Sequence, residues 1–169
     1  IGSQIAKRAH GLGMTVLGTR NSSRQGPDYV EYVGLADETH SLAAKADVIV
    51  NALPLTDSTR GSIDAAFFDA AKEGAFYISV GRGGTTDTDA LMAALESGDL
   101  AGAGLDVTDP EPLPAGHQLW DMPNVVISPH TAASSGMSRH NTVLLARENL
   151  RRYINGEKLL NTVDFARGY

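Results

Sequence analysis

Residues 75–107 read AFYISVGRGGTTDTDALMAALESGDLAGAGLDV. The first six, 75–80, are a β-rich apolar run of strand length. Glycines then interrupt the chain. Residues 87–97 follow, with Ala90, Leu91, Ala94 and Leu95 on a helical stripe that Gly98 stops. Residues 100–107 are apolar again, interrupted by Gly102 and Gly104, and read as a second strand. A strand, a helix and a strand over about thirty residues make one parallel crossover unit.

The alternation continues outward in both directions. Upstream, residues 4–12 predict a helix through Ile5, Ala9 and Leu12, closed by Gly11 and Gly13. Residues 14–17 are a short strand candidate, and residues 42–46 a helix with Thr39 or Ser41 as its cap. Residues 47–53 (D-V-I-V-N-A-L) are an apolar run of strand length, and residues 63–72 a helix ended by Gly74. Downstream, residues 125–128 predict a strand. Residues 134–155 predict a long helix, with Val143, Ala146, Leu150 and Ile154 on one side and Gly156 just past its end. The fold class expected is α/β: a doubly wound parallel sheet covered by helices on both faces. Ligands of such sheets sit beyond the carboxyl ends of the strands. The informative residues should then be Thr19-Arg20, Leu53-Pro54, Gly81-Arg82, Asp106 and Pro129-His130.

The chain has 169 residues, enough for one domain with a sizeable core. Its 42% apolar and 20% charged residues suit a water-soluble globular protein, and the apolar runs exclude a disordered chain. No uncharged apolar stretch approaches the ~20 residues of a membrane helix. Cysteine is absent, which excludes disulfides and thiolate chemistry and allows a reducing, cytoplasmic setting. A net charge of −6 argues against nucleic-acid or membrane-surface partners. Yet residues 1–27 hold Lys7, Arg8, Arg20 and Arg24 and no acid, a local cationic patch suited to a small anionic ligand.

Several segments carry possible chemistry. Ile1-Gly2 opens a helix, where Gly permits close helix–strand packing and the helix end favours a pyrophosphate; a chance glycine is the competing reading. Arg20, Asn21, Ser22, Ser23 and Arg24 follow the second strand position. A carboxylate there would accept from a ribose hydroxyl, whereas guanidinium and hydroxyls suit a 2′-phosphate; a solvated loop is the alternative. Residues 51–59 leave a strand into a turn stiffened by Pro54, with hydroxyls at Thr56 and Thr59. Residues 79–85 (S-V-G-R-G-G-T) set Arg82 between glycines, without the Gly-Lys-Ser/Thr of a P-loop. After the strand, in residues 105–114, Pro110, Pro112 and Pro114 predict a rigid extended path that points Glu111. His130 ends the last strand region. Arg binds a carboxylate in bidentate fashion, His moves a proton near neutral pH, and a neighbouring Glu favours the charged imidazole. One of each, on separate strand-end loops of one sheet edge, is the equipment for reducing a 2-oxo acid. The other histidines lack zinc-like spacing, so no metal site is expected.

At these residues the chain resembles the C-terminal portion of the D-isomer-specific 2-hydroxyacid dehydrogenases, from Ile1 almost to Tyr169. Ile1-Gly2 is similar to the end of that family's glycine fingerprint. Leu53-Pro54-Leu55-Thr56 through Thr59 resembles its cofactor loop, and Ser79-Val80-Gly81-Arg82-Gly83 its catalytic-arginine segment, where the family commonly has Asn in place of Ser79. Leu105-Asp106-Val107, Glu111-Pro112 and Pro129-His130 resemble three further motifs. The resemblance implies a Rossmann-type coenzyme domain over residues 1–133, with a C-terminal helix and tail at 134–169 that return toward a substrate domain. It implies an N-terminally truncated chain, lacking the first strand and the substrate domain, whose sheet exposes two unpaired edges. The stretch from Asn161 to Tyr169 looks like a natural terminus. As implied roles, Arg82 binds the substrate carboxylate, His130 is acid and base, Glu111 orients it, and Asp106 contacts the nicotinamide amide. The nucleotide would rest on Ile1, Gly2, Arg20, Asn21, Ser22, Leu53, Pro54, Thr59, Val80, Gly81, Arg82, Asp106 and His130. Arg20 favours NADP over NAD, as in glyoxylate/hydroxypyruvate reductases. A homodimer acting on a small 2-oxo or 2-hydroxy acid is implied. A dinucleotide-sensing corepressor on the same fold is the alternative. Formate- or phosphite-type oxidation is a third, and Glu111 argues against formate oxidation, where relatives have Gln.

Overall fold

The computed structural model describes residues 1–21 and 23–165. Helix α1 (Gly2–Gly11) precedes strands β1 (Leu17–Thr19) and β2 (Tyr32–Gly34), which pair in parallel. Helix α2 (Thr39–Ala43) leads into β3 (Val48–Asn51), α3 (Ala65–Ala70) into β4 (Ala75–Ser79), and α4 (Thr88–Ser97) into β5 (Leu100–Leu105). Strand β6 (Val125–Ile127) and the long helix α5 (Gly136–Ile154) complete the order. Strands β3 to β6 form one parallel sheet in chain order, separate from the β1–β2 pair. Parallel pairing and alternating helices are the expected architecture, and among the described residues β1 and β3 are each paired on one side only.

Local chemistry sets the boundaries. Asp64 caps α3 by accepting the Phe67 amide at 2.9 Å, Asp87 caps α4 through Ala90, and Ser135 caps α5 through Ser138. Gly98 ends α4 at φ +86°, a left-handed geometry that glycine adopts without strain. The cap expected for α2 is corrected. Thr39 and Ser41 hydroxyls donate backward to the Ala36 and Glu38 carbonyls, because a short 3₁₀ turn at Ala36–Glu38 precedes the helix.

The core lies on one side of the larger sheet. Phe67 and Phe68 of α3 and Leu91, Ala94 and Leu95 of α4 pack against Tyr77, Ala103 and Leu105. Phe68 meets Phe67 and Tyr77 edge to face, at 5.5 and 5.4 Å between centroids. The expectation of helices covering both faces holds on this face only. Val48, Val50, Phe76 and Val126 share the opposite face by register, and they are 39–74% exposed. Helices α1 and α5 bury no residue, so neither seals that face.

Candidate active site

Three neighbouring strands end at one edge of the sheet. Ser79 lies opposite Leu105, and Leu105 opposite Ile127. Backbone bonds continue the ladder past these ends, Asp106 N to Ser79 O and Ser128 N to Leu105 O, each at 2.9 Å. The loops carrying Arg82, Glu111 and His130 therefore leave side by side. Residues 108–112 do not take the extended path read from the prolines: the Asp109–Pro110 and Glu111–Pro112 bonds are cis and the segment bends repeatedly.

His130 Nδ1 stands 2.6 Å from Glu111 Oε1. Both side chains are half-exposed, and Nε2 has no hydrogen-bond partner among the described residues. His130 adopts φ +52°, a strained geometry for a non-glycine residue and a recurrent feature of functional sites. Asp106 holds the loop that imposes it. Its Oδ1 accepts from the Ser128 hydroxyl at 2.6 Å and the Thr131 amide at 2.9 Å, and its Oδ2 from the Ala132 amide at 2.9 Å. Asp106 is buried. Burial opposes its ionisation, but these bonds and the neighbouring His130 outweigh it and hold the carboxyl below its ordinary range.

Arg82 is exposed, and one Nη donates to the Gly81 carbonyl at 2.8 Å. Its loop is seated by contacts that only glycine allows. A Cβ on Gly83 would fall 1.9 Å from the Thr108 carbonyl oxygen, and one on Gly81 2.5 Å from that of Leu53. The Arg82 loop thus lies against both the segment leading to Glu111 and the turn at Leu53. Within that turn, the Thr59 hydroxyl donates to the Pro54 carbonyl at 2.6 Å and accepts the Thr56 amide at 2.8 Å, so it braces the loop.

The first turn of α1 starts at Gly2, close to Ala52 at the end of β3. It has no acidic residue and no side-chain cap; the Gln4 amide turns back to the Ile1 carbonyl at 2.9 Å, and the Gly2 and Ser3 amides ahead of it suit an anion. Arg20 is exposed and donates to the Gln25 carbonyl at 2.6 Å, with its other donors open among the described residues. Asn21 is exposed beside it, and Ser22 lies outside the described residues. Arg24 differs. It donates to Tyr32 Oη at 2.7 Å and pairs with Glu38 at 2.5 Å. The Tyr32 hydroxyl and Leu35 amide, with Arg24 beside them, hold the Glu38 carboxyl below its ordinary range. The Glu38 tether and the Asp106 clamp went unread in the sequence. An acid soon after a strand was the available signal.

The model of the D-isomer specific 2-hydroxyacid dehydrogenase family, NAD binding domain, matches residues 1–132. The chain belongs to this family. Among similar dehydrogenases is the human glyoxylate reductase/hydroxypyruvate reductase, 38% identical over 159 residues, covering 94% of this chain and 48% of that protein. The chain spans about half the length of the curated relatives it matches. A crystal structure of a D-isomer specific 2-hydroxyacid dehydrogenase from Xanthobacter autotrophicus Py2, in complex with NADPH and MES, superposes with a TM-score of 0.89. It is 36% identical, covering 99% of this chain and 68% of that one. The NADPH-dependent glyoxylate/hydroxypyruvate reductase of Sinorhizobium meliloti, in complex with NADP and sulfate, also gives 0.89, at 33% identity over 99% of this chain and 54% of its own.

Proposed function

We propose that the complete protein is an oxidoreductase that interconverts a small 2-oxo acid, of the glyoxylate or hydroxypyruvate class, and its 2-hydroxy acid. It uses NADP(H) in preference to NAD(H). The observation that carries this reading is the Glu111–His130 pair, 2.6 Å apart at the sheet edge that also bears the Arg82 loop. The names of the relatives support the substrate class, and the open donors of Arg20 support a 2′-phosphate.

The donor set fits a dinucleotide. Ile1 and Gly2 would offer helix-start amides to the pyrophosphate; Arg20, Asn21 and Ser22 would hold the 2′-phosphate; Leu53, Pro54, Thr59, Val80 and Gly81 would line its path. When bound, the nicotinamide supplies or accepts the hydride. Arg82 binds the substrate carboxylate through two parallel bonds and polarises the adjacent carbonyl. His130 Nε2 gives a proton to the carbonyl oxygen during reduction and takes it back in oxidation. Glu111 holds the ring at Nδ1 and balances its charge. Asp106 steadies the His130 loop and keeps further lone pairs for the nicotinamide amide.

A homodimer in a reducing, cytoplasmic compartment completes the reading. The apolar Met137, Val143, Leu144 and Leu150 left exposed on α5 support the dimer, and the lack of cysteine suits the compartment. Among the described residues, no helix is long and apolar enough to cross a membrane. Incubating the complete protein with NADPH and glyoxylate or hydroxypyruvate tests the activity. Steady NADPH consumption is expected. Tight NADPH binding without turnover would replace the enzyme by a dinucleotide-sensing binding protein.

A further inference from the structure

Asn51 closes β3, opposite Ser79 of β4, and is 4% exposed. Its Oδ1 accepts the Leu53 amide at 3.1 Å. Its Nδ2 faces three oxygens: Tyr77 Oη at 2.9 Å, Thr85 Oγ1 at 2.8 Å and Thr86 Oγ1 at 3.3 Å. The Thr85 hydroxyl, fully buried, donates in turn to the Arg82 carbonyl at 2.7 Å. Tyr77 Oη and Thr86 Oγ1 share a further bond at 2.7 Å. One amide therefore reaches the turn that begins at Leu53 on one side and the backbone of Arg82 on the other. The Gly81–Leu53 close approach joins the same two loops without any side chain between them.

We infer that Asn51 and Thr85 are positioning residues that set the nucleotide turn and the carboxylate anchor in one fixed relation. This rests on the function proposed above. Stability alone does not call for such a relay, because apolar groups of the same shape fill a core equally well. Both ends of the relay are loops of the candidate site, and both residues are buried beneath them. Loss of the Thr85 hydroxyl leaves the Arg82 carbonyl only the Thr85 amide, at 3.1 Å, and cuts its link to Asn51; a displacement of about 1 Å is enough to impair a reacting geometry.

Asn51→Leu strips the whole relay and risks misfolding, so the deciding pair is Thr85→Val, which keeps the shape, and Thr85→Ser, which keeps the hydroxyl. Leu95→Ala, in the core of α4, serves as the control that destabilises without touching either loop. In the complete protein, Thr85→Val should raise the KM for glyoxylate at least about tenfold. It should also weaken NADPH binding, read by nucleotide fluorescence. Thr85→Ser should restore both, and Leu95→Ala should move neither. Wild-type values in Thr85→Val, or equal shifts in Leu95→Ala, would overturn the inference. If the wild type turns over no 2-oxo acid, the proposed function falls. The NADPH titration of the same three variants then decides the positioning role by itself.

Discussion

Glu111 Oε1 lies 2.6 Å from His130 Nδ1, although the two are nineteen positions apart in the chain. The contact fixes which ring nitrogen faces outward. Glu111→Gln keeps the shape and removes the charge that balances an imidazolium. The expected result is a kcat for 2-oxo acid reduction lowered about tenfold or more, with the KM for NADPH little changed. Steady-state kinetics of the complete protein check it.

Asp106 ties the end of β5 to the loop around His130. Its carboxyl is held below the ordinary value of 3.8 in the folded chain. A depressed carboxyl stabilises the fold at pH values above its unfolded pKa, and that stabilisation disappears as acid carries the pH down through the folded value. Asp106→Asn should therefore lower the melting temperature at neutral pH and lessen its acid dependence below about pH 4. Thermal melts across that range read both effects.

Arg20 and Arg24 are close in sequence and differ in engagement. Glu38 and Tyr32 already occupy Arg24, while Arg20 bonds a single carbonyl. Arg20→Asp should reverse the preference from NADPH to NADH, with kcat/KM for NADPH falling about ten- to hundredfold. An unchanged ratio would mean that the 2′-phosphate is read elsewhere.

The legible parts of the fold were its longer periodic segments. The stripe of Ala90, Leu91, Ala94 and Leu95 gave α4, and the apolar run after Gly98 gave β5. Strand β2 was not legible, because three residues (Tyr32, Val33 and Gly34) carry no period. Strand β1 begins at Leu17, where the apolar stretch at 14–17 ends: pairing with β2, rather than local hydrophobicity, sets its limits. For the site, residue types at strand ends pointed to Arg82, Glu111 and His130. The Asn51 relay was hidden, since it depends on cross-strand register and on a loop folding back over the sheet. The uncovered sheet face was equally hidden, because a periodic helix states that it has an apolar side and leaves open what that side meets.

Gly83 and Gly116 give a clean contrast. A Cβ on Gly83 would strike the Thr108 carbonyl oxygen, while one on Gly116 meets nothing within 4 Å. Gly83→Ala should cost about 1–3 kcal/mol, the scale of overpacking, and lower kcat with it. Gly116→Ala should leave the denaturation midpoint and activity of the complete protein unchanged.

The central claim is that His130 moves the proton at this sheet edge. The direct measurement is the single-turnover rate of glyoxylate reduction by the complete, NADPH-saturated protein, wild type against His130→Ala. A rate lowered at least about 10²-fold, with NADPH affinity retained, is the predicted result. An undiminished rate would contradict it.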